Sequence, residues 1–180
     1  MNTPYSDTTN ENRPVTFHVI GIGNTIMGDD GIGLAMLEQL RHTGPKEGSY
    51  TNSGRTIQLS YIDGGTSGME LLPDIEDADY LLVLDALGGP GAPGQVHNFV
   101  GDQLPRLLKA KLSPHQVGLL DLLAAVRLLG SEPQAVAAVG IVAQDLQLHV
   151  GLSECASQAL PEAVECAEEL ITRWLQHPPS

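Results

Sequence analysis

The fold is decided by residues 15–33, which read VTFHVIGIGNTIMGDDGIG. Val15–Ile22 is apolar and β-branched, and the run is broken by Gly21 and Gly23, which predicts a buried first strand. Gly31–Arg41 then carries apolar residues at helical spacing. A strand, a glycine-rich loop and a helix in this order are typical of a parallel sheet covered by helices.

The rest of the chain repeats this alternation. Further strands are predicted at Thr56–Ile62, Tyr80–Leu84 and Ala135–Val142, with an edge strand at Gln95–Val100, and further helices at Ser67–Ile75, Gln116–Leu129 and about Cys155–Leu175. Thr43–Asn52 is polar and contains glycine and proline, so we expect a loop there. The predicted fold class is α/β: a single three-layer domain with a twisted, mostly parallel central sheet and helices on both faces. We expect this domain over residues 15–176, between a disordered N-terminal tail (1–14) and a C-terminal tail (177–180).

The charge of the chain limits its partners. Its 9 Lys and Arg residues and 22 Asp and Glu residues give a formal net charge of −13 in 180 residues. Such a surface repels the phosphates of nucleic acids and of anionic lipids, so we expect neither a nucleic acid nor a membrane as a partner. It suits a cation or a basic peptide, although acidity can also serve solubility alone.

The cysteines and the N-terminus predict a cytoplasmic protein. Cys155 and Cys166 lie on one predicted helix. Their spacing separates them by about 16 Å along its axis, which is too far for a disulfide. Met1–Pro14 is polar and lacks the apolar run of a secretory signal peptide.

Three acidic segments are predicted to meet at one edge of the sheet. Asp63 and Asp85 stand at the carboxyl ends of two predicted strands, and the Gly23–Asp30 loop follows the first strand. Open parallel sheets bind their ligands outside this edge. A carboxylate that ends a buried strand, as Asp85 is expected to do, is costly unless it is solvated, hydrogen-bonded or metal-bound. A turn after the strand is the alternative role for Asp85.

The Gly23–Asp30 loop differs from a nucleotide-binding loop. A dinucleotide fingerprint needs glycine at the position of Ile26. Asp29 and Asp30 would also repel a pyrophosphate from the helix N-terminus. Either aspartate could instead cap the helix, so a capping role and a ligand role both stay open for Asp30.

Two polar motifs follow. The glycines of Asp63-Gly64-Gly65-Thr66 permit a close backbone approach, so this turn could line a groove for a peptide main chain. The alternative is a plain strand-to-helix turn capped by Asp63 or Thr66. Ser113-Pro114-His115-Gln116 has the pattern of a helix start with a capping box. His115 would then lie in the first turn, where the helix dipole favours the neutral, metal-binding imidazole.

Taken together, Asp30, Asp85 and His115 predict a site of two carboxylates and one imidazole. This donor set suits zinc, nickel or manganese. Three protein ligands leave positions open for substrate or water. The other histidines fit less well: His97 is expected to face solvent from the edge strand, and His149 could help to shape the site.

Four motifs, in this order, resemble those of the [NiFe]-hydrogenase maturation endopeptidases: GIGNTIMGDDGIG, DGGTSGMELL, LLVLDAL and KLSPHQVGLLDLL. The later GIVAQDLQLHVGLS resembles the segment before the final helix of that family. The similarity runs over about Val15–Trp174. It implies a single α/β protease domain that removes a short C-terminal peptide from the hydrogenase large-subunit precursor after nickel has been inserted.

The resemblance also implies roles for the site residues. It assigns metal binding and catalysis to Asp30, Asp85 and His115; some family members have glutamate at the first of these positions. The ion that the resemblance implies is nickel supplied by the precursor, for which zinc or cadmium could act as a surrogate. It further implies substrate binding by the Gly64-Gly65-Thr66 turn.

The chemistry of cleavage stays open between two types. A bound ion could polarise the scissile carbonyl or activate a water in a metal-assisted endopeptidase. In an aspartyl-type mechanism a carboxylate, Asp29 or Asp63, could serve as the general base.

Two other functions compete with this one. A non-catalytic nickel-binding chaperone or scaffold would explain the acidic surface and the lack of a recognised nucleophile motif. A nucleotide-binding oxidoreductase is disfavoured by the absence of glycine at Ile26 and by the acidic start of the helix.

Overall fold

The computed structural model describes residues 13–52, 54–89, 91–101 and 126–179. Its central sheet has six strands: β1 (Val15–Ile22), β2 (Gly48–Asn52), β3 (Arg55–Gly65), β4 (Tyr80–Leu87), β5 (Val96–Val100) and β6 (Ala135–Val142). Their order is β2-β3-β1-β4-β6-β5. The four inner strands are parallel, and the edge strands β2 and β5 are antiparallel to their neighbours. The predicted α/β class with a mostly parallel sheet is therefore confirmed.

Helices cover both faces of the sheet, which explains why its middle strands are apolar throughout. Every residue of β4 is buried, as expected for a parallel strand packed on both faces. On one face, α1 (Ile32–Thr43) and α3 (Glu154–Gln176) pack in a cluster with Leu82 of β4. On the other face, α2 (Leu72–Asp77) and Val126 pack in a cluster with Val83 of β4. Short 3-10 turns at Gly28–Gly31 and Gly68–Leu71 precede α1 and α2.

The predicted strands agree with the structure in the core and differ at the edges. β1 and β6 have the predicted bounds, and β5 is an edge strand as expected. The loop predicted over Thr43–Asn52 is wrong in its second half, which forms β2. β2 lies at the edge of the sheet, and its side chains are polar and only partly buried. It therefore lacks the apolar alternation by which a strand is recognised.

Two features of the helices bear on other predictions. Residues 126–129 are helical, and the rest of the helix predicted over Gln116–Leu129 lies outside the described residues. Cys155 and Cys166 are both on α3 and are both free thiols. In the described part of the chain, every helix is too short or too polar to cross a membrane. The division into a domain and two tails stays a prediction.

Candidate active site

The carboxyl ends of β1, β3 and β4 meet at one edge of the sheet. Gly21 of β1 pairs with Asp63 of β3 on one side and with Leu84 of β4 on the other. Neighbouring strands are about 4.8 Å apart, so about two such spacings separate Asp63 from Leu84. Asp85 follows Leu84 directly, and the sheet therefore brings both aspartates to the edge at which the sequence pattern predicts them.

β4 continues past the point at which its pairing with β1 ends. Asp85 pairs with Gly140 of β6, whereas the last pair with β1 is that of Leu84 and Gly21. The expectation that Asp85 ends its strand is therefore wrong. By strand alternation it shares a face with Val83, and it is only 7% exposed. Asp85 thus lies inside β4, at the crevice that opens where β1 leaves the sheet.

The 3-10 turn between β1 and α1 carries Asp30. The N-cap residues of this turn and of α1 are Met27 and Gly31, and no side chain caps either element. The capping role that the sequence left open for Asp30 is therefore not observed. Asp30 is partly buried, and its carboxylate makes no hydrogen bond or ion pair with any of the described residues.

A close contact between α1 and the sheet fixes the position of this turn. A Cβ atom at Gly33, in the first turn of α1, would lie 2.2 Å from the backbone oxygen of Ile22 and 2.3 Å from that of Leu84. Glycine alone permits such an approach. The start of α1 therefore rests over the carboxyl ends of β1 and β4, which brings Asp30 to the edge that carries Asp85.

Asp29 has different surroundings from Asp30. It is fully buried, and its carboxylate accepts hydrogen bonds from the backbone nitrogens of Gln144 (2.8 Å), Asp145 (3.1 Å) and Ser153 (2.7 Å) and from the Ser153 hydroxyl (2.8 Å). Burial by itself raises the pKa of Asp29, but these hydrogen bonds outweigh it and hold the pKa below its ordinary value. Asp29 therefore fastens the segment between β6 and α3 to the loop after β1.

This contact joins residues that are more than a hundred positions apart, and it is not among the features predicted from the sequence. The spacing of Asp29 from Ser153 carries no signal, because no periodic pattern links two loops that meet only in the folded chain. The one available indication was that GIVAQDLQLHVGLS resembles a family segment, which singled out the second loop without naming its partner.

A β-bulge at Gly64 shapes the turn after Asp63. The pairing of β3 with β1 is regular up to Asp63, skips Gly64 and resumes at Gly65. A Cβ atom at Gly64 would lie 2.9 Å from Cγ2 of Ile20, so a larger residue would force the strands apart. The backbone nitrogen of Gly23 donates to the oxygen of Gly65 at 2.9 Å. The turn is thereby tied to the loop after β1.

Asp63 opens into a groove on the α1 face of the sheet. Asp63 and Thr66 are exposed, and neither caps the 3-10 turn that follows, whose N-cap is Ser67. The groove has a volume of about 420 Å³ and is lined by the loop after β1, the outer side of α1 and residues 150–152. Its lining includes Gly28, Gly31, Leu34, Leu37, Val150 and Leu152. The charged residues of the lining are Asp63, Glu38 and Arg41, and a mostly apolar groove with a few charged groups suits an extended peptide.

The third predicted metal ligand, His115, lies outside the described residues, as does the rest of its Ser113–Gln116 motif. Within the described ranges, no three His, Cys, Asp or Glu side chains are grouped closely enough to hold an ion. Asp30 and Asp85 nevertheless offer carboxylate oxygens at one edge, a type of donor that divalent ions accept. His97 does not face solvent as expected, because it is partly buried and stacks on Phe99.

Comparison with known proteins identifies the family. The model of the hydrogenase maturation protease family matches residues 35–170. This chain belongs to that family. Hydrogenase 2 maturation protease of Escherichia coli is 34% identical over 151 residues, which cover 82% of this chain and 85% of that protein. Hydrogenase expression/formation protein HoxM of Cupriavidus necator is 31% identical over 157 residues, 86% of this chain and 73% of that protein.

Solved structures of hydrogenase maturation proteases share the fold. The hydrogenase maturating endopeptidase HybD from Escherichia coli superposes with a TM-score of 0.74 at 31% identity, over 88% of this chain and 93% of that one. The [NiFe] hydrogenase maturation protease HybD from Thermococcus kodakarensis gives a TM-score of 0.67 at 26% identity, over 87% and 98% of the two chains. The protein is thus an endopeptidase of hydrogenase maturation, in a family that uses a metal ion. The oxidoreductase hypothesis is wrong.

Proposed function

We propose that this endopeptidase removes a short C-terminal peptide from the [NiFe]-hydrogenase large-subunit precursor and does so only once the precursor holds nickel. The observation that carries the proposal is the carboxylate of Asp30. It has no partner among the described residues and lies at the same sheet edge as Asp85. A carboxylate left in this state is available to a cation that arrives from outside the chain.

The proposed metal ligands are Asp30, Asp85 and His115. Two carboxylates and a neutral imidazole match the preferences of nickel, and zinc or cadmium could replace it. The nickel belongs to the substrate. A precursor without nickel therefore offers these residues nothing to hold, so the enzyme distinguishes loaded from empty precursor by affinity. When bound, nickel supplies Lewis acidity at the scissile carbonyl.

We assign the role of general base in peptide cleavage to the Asp63 carboxylate. It is exposed, lines the groove and has no partner among the described residues, so it is able to accept a proton from water. Water adds to the carbonyl carbon, the C–N bond breaks, and the proton passes to the leaving amine. Asp29 is not assigned this role, because four hydrogen bonds already occupy its two oxygens.

The turn Gly64-Gly65-Thr66 is assigned to substrate binding. It follows Asp63 directly and Thr66 is exposed, so backbone groups beside the groove are accessible to a peptide main chain. Gly65 has no side chain to block this approach, and a Cβ atom there would meet only the Asp63 carboxylate, at 3.5 Å. The reaction is placed in the cytoplasm, in keeping with two free thiols that lie on one helix.

Mass spectrometry of a matched large-subunit precursor tests the proposal. The precursor is incubated with this protein, once loaded with nickel and once without it. We expect loss of a C-terminal peptide from the loaded form alone. Equal cleavage of both forms would contradict the nickel requirement. An intact loaded precursor that still binds the protein would instead favour the non-catalytic scaffold.

A further inference from the structure

Half of the exposed large apolar side chains in the described ranges lie on two loops beside the candidate site. Ile26 is on the loop after β1, and Leu146, Leu148 and Val150 are on the segment between β6 and α3. Leu148 is 74% exposed and Val150 is 81% exposed. Apolar clusters of this kind mark surfaces that bind another molecule.

The two loops are joined, which brings these side chains together. Met27 and His149 form a parallel β-bridge, and the nitrogen of Gly28 donates to the oxygen of His149 at 2.9 Å. Ile26 and Leu148 are the residues that precede the bridged pair on each loop. We name Ile26, Leu148 and Val150 the apolar rim.

The rim is held in place by the buried carboxylate of Asp29. Its hydrogen bonds fix both ends of the second loop, at Gln144 and at Ser153. The nitrogen of Asp29 also donates to the oxygen of Asp145 at 2.8 Å. These bonds hold the ends of the loop, and the bridge between Met27 and His149 holds its middle, in the conformation that leaves Leu148 and Val150 exposed. A surface that is fixed before binding loses little conformational entropy on binding.

The rim is continuous with the groove. Val150 lines the groove together with Gly28 and Asp63. A molecule whose peptide lies in the groove must therefore pass over or beside the rim. Asp63 lines the groove together with Val150, and Asp145 lies on the same loop as Leu148 and Val150.

We propose that the apolar rim is the surface on which the folded body of the large-subunit precursor docks, while its C-terminal peptide lies in the groove. This inference rests on the proposed function. The acidic surroundings call for a partner face in which lysine and arginine encircle an apolar centre. They also argue against a second copy of this chain, because each copy carries a formal net charge of −13.

Serine substitutions in the rim test the docking surface. The variant has Ile26→Ser and Leu148→Ser together, because both side chains are exposed and neither lines the groove. The matched control has Leu128→Ser and Leu129→Ser, which are also exposed but lie on the helical stretch 126–129 before β6. Both variants remove apolar side chains that the core does not use. The dissociation constant for nickel-loaded precursor is measured by surface plasmon resonance, and kcat and KM are measured by peptide release.

We expect the rim variant to bind the precursor about tenfold more weakly or worse, with KM raised and kcat unchanged. The control should match the parent protein in all three quantities. Equal binding by the rim variant and the parent protein would overturn the docking surface while leaving the protease assignment intact. A fall in kcat at constant KM would also overturn it, because the rim would then act on the chemical step.

Sedimentation velocity tests whether a second copy of this chain, rather than the precursor, covers the apolar rim. A parent protein that is dimeric and becomes monomeric in the rim variant would show that the rim joins two copies of this chain. That result would overturn the proposal. Failure of the parent protein both to bind and to cleave loaded precursor would overturn the proposed function together with the docking surface.

Discussion

Carboxylates at the amino ends of the parallel strands, here called the amino edge, differ in their hydrogen bonding from those at the carboxyl ends, the carboxyl edge. At the amino edge, Asp79 is buried and accepts hydrogen bonds from the Arg13 guanidinium (2.7 Å), the Thr16 nitrogen (2.8 Å) and the Gln134 amide (3.1 Å). At the carboxyl edge, neither Asp30 nor Asp63 has a partner among the described residues. The first carboxylate serves the fold, and the other two are available for a ligand.

Asp29 shows that the position of a carboxylate along the sequence does not decide whether it serves the fold or is available to a ligand. It precedes Asp30 directly, yet its oxygens are fully engaged by the segment before α3, as those of Asp79 are by its own neighbours. An acidic residue at a functional edge is therefore not by itself a functional residue. What separates the two kinds is whether the chain already supplies the donors.

The largest expected effect is loss of cleavage at the carboxyl edge. Asp30→Asn and Asp85→Asn each replace a charged oxygen donor with a neutral one of the same shape, so binding of nickel-loaded precursor should weaken. We expect the rate of peptide release to fall at least about 100-fold. Asp77→Asn, at an exposed acid that ends α2, is the matched control and should cleave normally. If the Asp30→Asn variant still cleaves the precursor normally, Asp30 is not a ligand of the nickel ion.

Next in size is the effect of Asp29→Asn on stability. An amide cannot accept the four hydrogen bonds that the carboxylate accepts, and its own NH₂ group would face N–H donors. We expect the free energy of unfolding to fall by about 2–4 kcal/mol, as measured by urea denaturation. Ser153→Ala removes one donor to Asp29 and also the side-chain cap of α3, which accepts from the Ala156 nitrogen at 3.3 Å, and should cost about 1–2 kcal/mol. If both variants lost the same free energy of unfolding, the Asp29 carboxylate would not be the group on which the whole hydrogen-bond cluster depends.

Asp79→Asn should destabilise the protein without changing its chemistry. The variant loses the ion pair with Arg13 and one well-placed acceptor, which costs about 1–3 kcal/mol. Cleavage per folded molecule should match that of the parent protein, because Asp79 lies at the opposite edge of the sheet from the groove. If a folded Asp79→Asn variant lost cleavage activity, Asp79 would have a role beyond stability, and the distinction between the two edges would be wrong.

The smallest effect is expected at an exposed ion pair. Arg127 and Glu132 approach to 3.7 Å, and both side chains are more than half exposed. Water screens such a pair, so Glu132→Gln should change the free energy of unfolding by less than about 0.5 kcal/mol. The comparison with Asp79→Asn separates the contribution of burial from that of charge. A loss as large as that of Asp79→Asn would show that burial is not what matters.

Much of the fold could be predicted because its core obeys simple periodicity. β1, β4 and β6 are apolar runs of the length that a doubly covered parallel strand needs, and α3 repeats its apolar residues at helical spacing. β2 was missed because an edge strand with polar side chains resembles a loop. Its pairing with β3 is decided by the backbone of its neighbour, which no local pattern records.

Some properties of the candidate site could likewise be predicted from the sequence, and others could not. Residue type and order along the chain were enough to show that acidic residues follow the strands and which family the motifs resemble. They were also enough to exclude a dinucleotide-binding loop, because Ile26 stands where that loop needs glycine. Three other properties became visible only in the folded chain: the Asp29 carboxylate is fully hydrogen-bonded, Asp30 does not cap a helix, and Asp85 lies within β4. Those three outcomes depend on hydrogen-bond donors and strand neighbours that come from distant parts of the chain, and the position of a residue along the sequence does not specify them.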